Sequence, residues 1–382
     1  MLLALLFYGY ATGVFSSRKL EKATYDSMAF KYICANENPD HDTINSFRKR
    51  FNKEIEGLFV EILVLAEAMG LLKLGTVSLD GTKLVLSEAE GIKANAGKHK
   101  ALSWDYAKQL EAQFKQEIEN LMKLAEAADN TPLPEDMDVP KELKRRQDRL
   151  AVIAKAKQEI QARAKARYAQ EKAEYDEKPA KREKHLSETG WKMGGKAPQA
   201  PSEAPQAKDQ VSLTDEESRI MPTHNGFEQA YNAQASVDIA THLIVAHHVT
   251  QHTNDKQEIE PALAKLKQLP ECLGIVENLL ADTGYFSQGN VKAGGDATIK
   301  PYIAQKRQSH NQPLEAMTHR LSTKTGKALY GKRKSTVETV FGIIKQVLGF
   351  RQFHLRGLES VQSEWILVCI GWNLKRMWVL NG

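Results

Sequence analysis

Gly75-Thr76-Val77-Ser78-Leu79-Asp80-Gly81-Thr82-Lys83 breaks a long helical opening. Val77 and Leu79 alternate with Thr76 and Ser78, the period of two of a β-strand, and the run ends on a carboxylate followed by glycine. An Asp-Gly pair alone is most often a hairpin turn. The pattern returns, however, in Ile275-Val-Glu-Asn-Leu-Leu-Ala-Asp282-Thr-Gly284-Tyr-Phe286, where a second apolar strand delivers Asp282 to its carboxyl end. Ligands in open α/β sheets gather at the carboxyl ends of strands. Two acids delivered in this way predict an α/β core with its site where the strands stop.

A third acid comes from a helix. Tyr330-Gly-Lys-Arg333-Lys334-Ser-Thr-Val-Glu338-Thr-Val-Phe-Gly-Ile-Ile-Lys345 carries Val337, Val340, Phe341, Ile344, Val347 and Leu348 at three- and four-residue spacing, which predicts one apolar stripe. Glu338 lies beside that stripe, with Lys345 two turns further along on the same side. From His319 to Arg356 there are nine Lys or Arg and one carboxylate, Glu338. Solvated faces usually mix the signs. A lone acid in a basic field suits a group that meets a cation while its neighbours meet phosphates.

The rest of the chain divides by composition. Residues 1–74 read as helical, with a Ser16-Ser17 cap and the turn Pro39-Asp40-His41-Asp42-Thr43 before a helix carrying Phe47 and Arg48. A turn followed by a helix with basic first turns resembles a DNA-docking unit and makes Arg48 a candidate DNA contact. Residues 104–186 are rich in Lys, Glu, Ala and Gln and predict a solvent-bathed helical hairpin, with helices at 104–128 and 140–178. Residues 187–210 read as a flexible linker. Strands are expected over 227–238, 243–250 and 297–303, helices over 258–268 and from Asn290, and an apolar last helix from Glu359 that buries Trp365, Trp372 and Trp378. His247 and His248 point to opposite faces of a strand, so one is expected packed and the other solvent-facing.

Composition narrows the class. The 382 residues suffice for two or three domains, the net charge of +5 is mild, and the three cysteines show no metal-ligand spacing. No segment approaches 18 uninterrupted apolar residues, so a cytoplasmic protein with no membrane partner is expected.

Asp80, Asp282 and Glu338 together answer a known chemical need. In-line phosphoryl transfer is helped by two Mg²⁺ ions roughly 3.5–4 Å apart that bridge the attacking and leaving oxygens, and a few carboxylates suffice to hold them. At these residues the chain resembles a DDE transposase of a bacterial insertion sequence, from the group with a Tyr-Arg-Glu-Lys signature around the third acid. Asp80-Gly81-Thr82-Lys83, Ile92 to Lys100, Tyr231-Asn232-Ala233-Gln234, Leu280 to Tyr285, Val337-Glu338 with Phe341 to Lys345, and Arg356-Gly357 match its motifs in order. Near the start, Tyr8-Gly-Tyr, Ser17 to Glu21 and Pro39 to Ile44 match its amino-terminal domain.

The resemblance implies a ribonuclease-H-like mixed sheet with flanking helices, formed by 75–103 and 211–382. To this it adds an all-α amino-terminal domain (1–74) and the inserted hairpin (104–186). It implies that Asp80, Asp282 and Glu338 hold Mg²⁺ or Mn²⁺, and that Tyr330, Arg333, Lys334, Lys345, Lys93, Lys98 and Lys100 contact DNA. The DNA would be transposon terminal repeats and target, in a nucleoid-associated setting, and paired cutting of two ends would suit a homodimer. The chain departs from the pattern three times, and one departure is that it begins inside the first apolar helix of the family's amino-terminal domain. Leu84 to Gly91 interrupt the motif region after Asp80, and four residues rather than three separate Arg333 from Glu338, so that Lys334 has the better spacing. A copy that binds DNA without cutting it is the alternative.

Overall fold

Helices α1 (Leu2–Thr12), α2 (Ser17–Asp26), α3 (Met28–Ile33), α4 (His41–Arg50) and α5 (Asn52–Ala68) precede the first strand. Asp40 starts α4 as the turn residue should, its carboxylate accepting the Thr43 N–H at 2.7 Å. The computed structural model describes residues 1–82, 94–96, 100–127, 138–191, 199–223, 226–305 and 312–382. The Leu84–Gly91 interruption, Lys93 and Lys98 lie outside the described residues.

Then follow β1 (Leu74–Thr82), β2 (Ala101–Ser103), α6 (Trp104–Ala127), α7 (Val139–Thr189), β3 (Gln210–Ser212), β4 (Arg219–Thr223), β5 (Gly226–Ala230), β6 (Asn232–Asp238) and β7 (Ile244–Thr250). The chain continues through α8 (Ile259–Lys267), β8 (Gly274–Ala281), α9 (Gln288–Asp296), β9 (Lys300–Ile303), α10 (Gln312–Ser322), α11 (Lys324–Arg333), α12 (Thr339–Gly342) and α13 (Leu358–Asn381). Two compact units result, Met1–Ala96 with Glu217–Gly382, and Gly97–Glu216.

In the first unit five strands form one mixed sheet in the order β7-β6-β1-β8-β9. β1, β8 and β9 run parallel, while β6 is antiparallel to both β1 and β7. This architecture is compatible with a ribonuclease-H-like fold. Every residue of β6 is buried, and so is Ser78 of β1. The alternation in β1 is therefore chemical but not one of exposure, as expected of a strand covered on both faces. α13 lies against β7 and α5. The Asn373 side chain accepts the Ile244 N–H and donates to the Ile244 carbonyl, both at 2.8 Å, which satisfies backbone groups of an edge strand. Trp365 and Trp372 are core, but Trp378 is 77% exposed although its neighbour Met377 is buried, which puts it on the outer face of α13. His247 packs edge-on to Phe59. His248 is not solvent-facing: its Nε2 lies 2.9 Å from buried Glu258.

In the second unit α6 and α7 form the antiparallel hairpin and β2 pairs with β3. A small core of Leu102, Trp104, Phe114, Ile153, Ile160 and Val211 joins the two pieces. Arg167 grips Asp209 through two bonds of 2.7 and 2.9 Å. Helix α7 continues through Pro179 to Thr189, beyond the expected end at 178. Among the described residues no helix is long and apolar enough to cross a membrane.

Candidate active site

Asp80 and Asp282 leave the sheet side by side. The parallel register of β1 and β8 ends at Ser78 opposite Leu280, and each acid lies two residues further on. Neighbouring strands are about 4.8 Å apart, so the two carboxylates share one end of the sheet. Each is anchored by a local backbone donor. Asp80 accepts the Gly81 N–H at 2.9 Å, and Asp282 accepts the Gly284 N–H at 2.7 Å. Burial pushes the Asp80 carboxyl up to about 7, the neighbouring Asp282 charge adds to the rise, and Arg333 opposes it.

Glu338 reaches the same place through an irregular helix. The expected single α-helix is interrupted by two π-turns, Lys334–Glu338 and Ile343–Val347. A π-turn closes over five residues instead of four. Arg333 and Glu338, five apart, are thus brought onto one face, and their side chains meet at 2.8 Å. The other end of the Arg333 guanidinium lies 3.4 Å from Asp80. Arg333 is only 8% exposed, whereas Lys334, the residue with the expected spacing, is exposed. The same irregularity turns Val347 out of the apolar stripe, leaving it 69% exposed while Val337, Val340, Phe341, Ile344 and Leu348 are buried.

Tyr330 and Lys345 flank this arrangement. The Tyr330 phenol is raised by burial, and the Arg333 charge opposes the rise. Lys345 is buried, and its ammonium is lowered by desolvation with the Asp80 charge acting against it. Lys100 is exposed in the second unit. Arg48 departs from expectation. It is 4% exposed and donates to the Tyr10 hydroxyl at 3.1 Å and to Asn45 at 2.9 Å, because its helix face turns inward against α1.

A polar floor escaped the sequence reading. Asn232 and Gln234 of β6 both donate to Asp255, at 3.0 and 2.9 Å, and Gln234 accepts a bond from buried Tyr285. Burial raises the Tyr285 phenol, and the charges of Asp80, Asp255 and Asp282 raise it further, so Asp255 is a fourth acid beside the two strand-end acids. The available signal was the row Asn232, Gln234, Ser236, Asp238, a period-two polar face on a wholly buried strand.

Gly81 passes directly over this floor. A Cβ there would lie 2.1 Å from the Gln234 amide nitrogen and 2.7 Å from the Asn232 carbonyl oxygen. Gly81→Ala is therefore expected to lower stability by about 2 kcal/mol through overpacking and to displace Gln234 and Asp80 together. Thermal melting with and without Mg²⁺ reads both effects, and an unshifted melting temperature would contradict the close approach.

The donor chemistry suits a hard divalent cation, since all the acids supply oxygen and the charge of Asp282 bears on Asp80. Among the described residues no three His, Cys, Asp or Glu side chains close into a ready-made metal cage. Arg333, bonded to both Asp80 and Glu338, supplies the local positive charge.

No curated protein and no solved structure matches the chain. Two family models do. "Transposase domain (DUF772)" matches residues 1–50, which cover α1 to α4. "Transposase DDE domain" matches residues 297–378, which include Glu338 and both π-turns. Transposase families thus match both ends of the chain, and the stretch that resembles the DDE domain contains the helix that carries Glu338.

Proposed function

We propose that the protein binds the ends of an insertion sequence and cuts and joins DNA strands at a centre formed by Asp80, Asp282 and Glu338. The observation that carries this reading is the pair of neighbouring strand-end acids, of which Asp80 is joined to the helix acid Glu338 through Arg333. DDE transposases as a group work with divalent metal ions. Here Asp80, Asp282 and Glu338 would hold them, and when bound the ions supply Lewis acidity to the phosphodiester and a nucleophile at neutral pH.

The chain's own groups do the remainder. The polar floor of Asn232, Gln234, Asp255 and Tyr285 fixes the backbone on which Asp80 and Asp282 stand, which favours rigid placement of the acids. Lys345 and Tyr330 lie beside the acids, where they can meet the non-bridging oxygens of a bound strand. Lys334, exposed one position along, suits the same backbone further from the cut. Arg333 balances Asp80 and Glu338 and offers a planar donor fork, the geometry best matched to phosphate.

The test is cleavage of a supercoiled plasmid carrying the DNA that flanks the coding sequence, by the purified protein in Mg²⁺. Asp282→Ala is expected to lower the rate by about 10³-fold or more, the scale for losing a group that stabilises the transition state, while DNA affinity stays within about twofold of the parent's, since one half-buried acid adds little to backbone binding. Undiminished cleavage by Asp282→Ala would sink the assignment. Binding without cleavage by the parent, in Mg²⁺ and in Mn²⁺, would favour a copy that only binds.

A further inference from the structure

Behind the polar floor lies another carboxylate. Glu258 is 1% exposed and stands between the short turn Asp255–Gln257 and α8. Both of its oxygens are engaged by imidazoles. His248 Nε2 lies 2.9 Å from one oxygen, and His252 Nδ1 lies 2.8 Å from the other. Burial pushes the Glu258 carboxyl up, but the two imidazole bonds outweigh it and hold the group below its ordinary value.

The register of the sheet shows what this acid is joined to. Gly81 of β1 pairs with Gln234 of β6, and Gln234 pairs with His248 of β7, so the three residues form one row across the strands. Residues directly opposite on neighbouring strands project to the same face. From this row Gln234 reaches Asp255 at 2.9 Å and His248 reaches Glu258, two bonds to the two ends of one turn. Glu258 closes the turn by donating its own N–H to the Asp255 carbonyl at 3.1 Å. The loop before it is held as well, since the His252 carbonyl accepts from Asn232 at 3.3 Å. Buried Asn290 donates to the carbonyls of Lys256 and Tyr285, both at 2.7 Å, and so ties the turn to the one that follows Asp282. The two turns meet at Gly284, where a Cβ would stand 2.9 Å from Asp282 Oδ1 and 3.6 Å from Asp255 Oδ2.

A buried ion pair is a weak source of stability, because apolar groups of similar size often serve as well. What it supplies here is orientation. A carboxylate engaged at both oxygens, by groups on a strand and on a loop, leaves the turn one position, and Asp255 is the first residue of that turn. We propose that Glu258 is a positioning residue for the acid centre: through His248 and His252 it holds Asp255 against Asn232 and Gln234, and so sets the strand ends that carry Asp80 and Asp282. This role rests on those two acids holding Mg²⁺.

The experiment is a Mg²⁺ titration of the full-length protein read by thermal melting, with amide exchange measured alongside in EDTA. Glu258→Leu keeps the volume and removes both bonds. It is expected to raise the Mg²⁺ concentration for half-maximal stabilisation about tenfold, the usual cost of losing a group behind a metal ligand. His252→Ala, at a half-exposed side chain, removes one bond alone and is expected to shift the midpoint less, in the same direction. Glu258→Gln, which keeps an acceptor oxygen, is expected to stay near the parent. Glu364→Gln alters an equally buried acid that also meets a histidine, and is expected to lower the melting temperature with the Mg²⁺ midpoint unchanged. The parent's midpoint in Glu258→Leu and His252→Ala, or a shift in Glu364→Gln equal to that in Glu258→Leu, would overturn the proposal. Asp282→Ala separates the two readings. If it answers Mg²⁺ as the parent does, the acid-centre reading fails, and exchange decides whether Glu258 still places the two acids. Faster exchange of the Gly81 and Gly284 N–H groups, which the Asp80 and Asp282 carboxylates accept, in Glu258→Leu but not in Glu364→Gln would uphold that placing. Equal exchange in both would overturn it.

Discussion

In EDTA at pH 8, Asp80→Asn is expected to melt about 4 °C above the parent protein, and at pH 4 the advantage is expected to disappear. The folded Asp80 carboxyl is raised to about 7, chiefly by burial and then by the Asp282 charge, whereas an unfolded aspartate titrates near 3.9. Between these values the folded chain keeps a proton that the unfolded chain releases. Stability falls as pH climbs through the window, and the full penalty persists above it. The Asp80 side chain is 21% exposed, so solvent screens part of the effect and the penalty comes to about 2 kcal/mol. Asparagine carries no charge to desolvate and keeps the oxygen that accepts the Gly81 N–H. Adding Mg²⁺ should stabilise the parent and not the variant, which should also fail to cut DNA. A melting difference independent of pH would remove Asp80 as the strained acid.

Gly371→Ala should unhook α1 from α13. A Cβ at this position would stand 2.8 Å from the Tyr10 carbonyl carbon and 2.9 Å from the Ala11 nitrogen, both backbone atoms with no rotamer to yield. The helical preference of alanine returns about 1 kcal/mol, and the overpacking costs about 3 kcal/mol or more. Leu5, Leu6 and Tyr10 would lose part of their cover, and the Tyr10–Arg48 bond would stretch. We expect the melting temperature to drop by about 4 °C or more, with faster amide exchange in α1 than in β6. An unchanged melting curve would mean that the helices can part without cost.

Much of the core was legible because its signals were local. The strands ending at Asp80 and Asp282 announce themselves by period-two patterning and a following glycine, and the last helix by sustained apolarity. The misses share a different origin. Arg48 was assigned from its place in a turn-and-helix pattern and Trp378 from its apolar helix, yet the neighbours that bury the first and leave the second bare come from distant parts of the chain. Asp255 carried no signal of its own, because its partners Asn232 and Gln234 lie more than twenty positions away. One of the two neighbouring histidines was expected to face water, since nothing nearby in the chain shows that Glu258 folds back onto His248. The Tyr-Arg-Glu-Lys region was readable in composition but not in phase.

That phase carries a consequence for how such chains are found. A pattern written as a fixed gap between arginine and glutamate counts beads on a string, whereas the acid and its partner meet according to angle around an axis. Widening one turn of the helix stores a surplus residue as rotation and returns the downstream residues to register. Searches that insist on the shorter gap would pass this chain by or credit Lys334 with a partnership that Arg333 holds. A pattern that tolerates one extra residue, scored by angular position, would recover it.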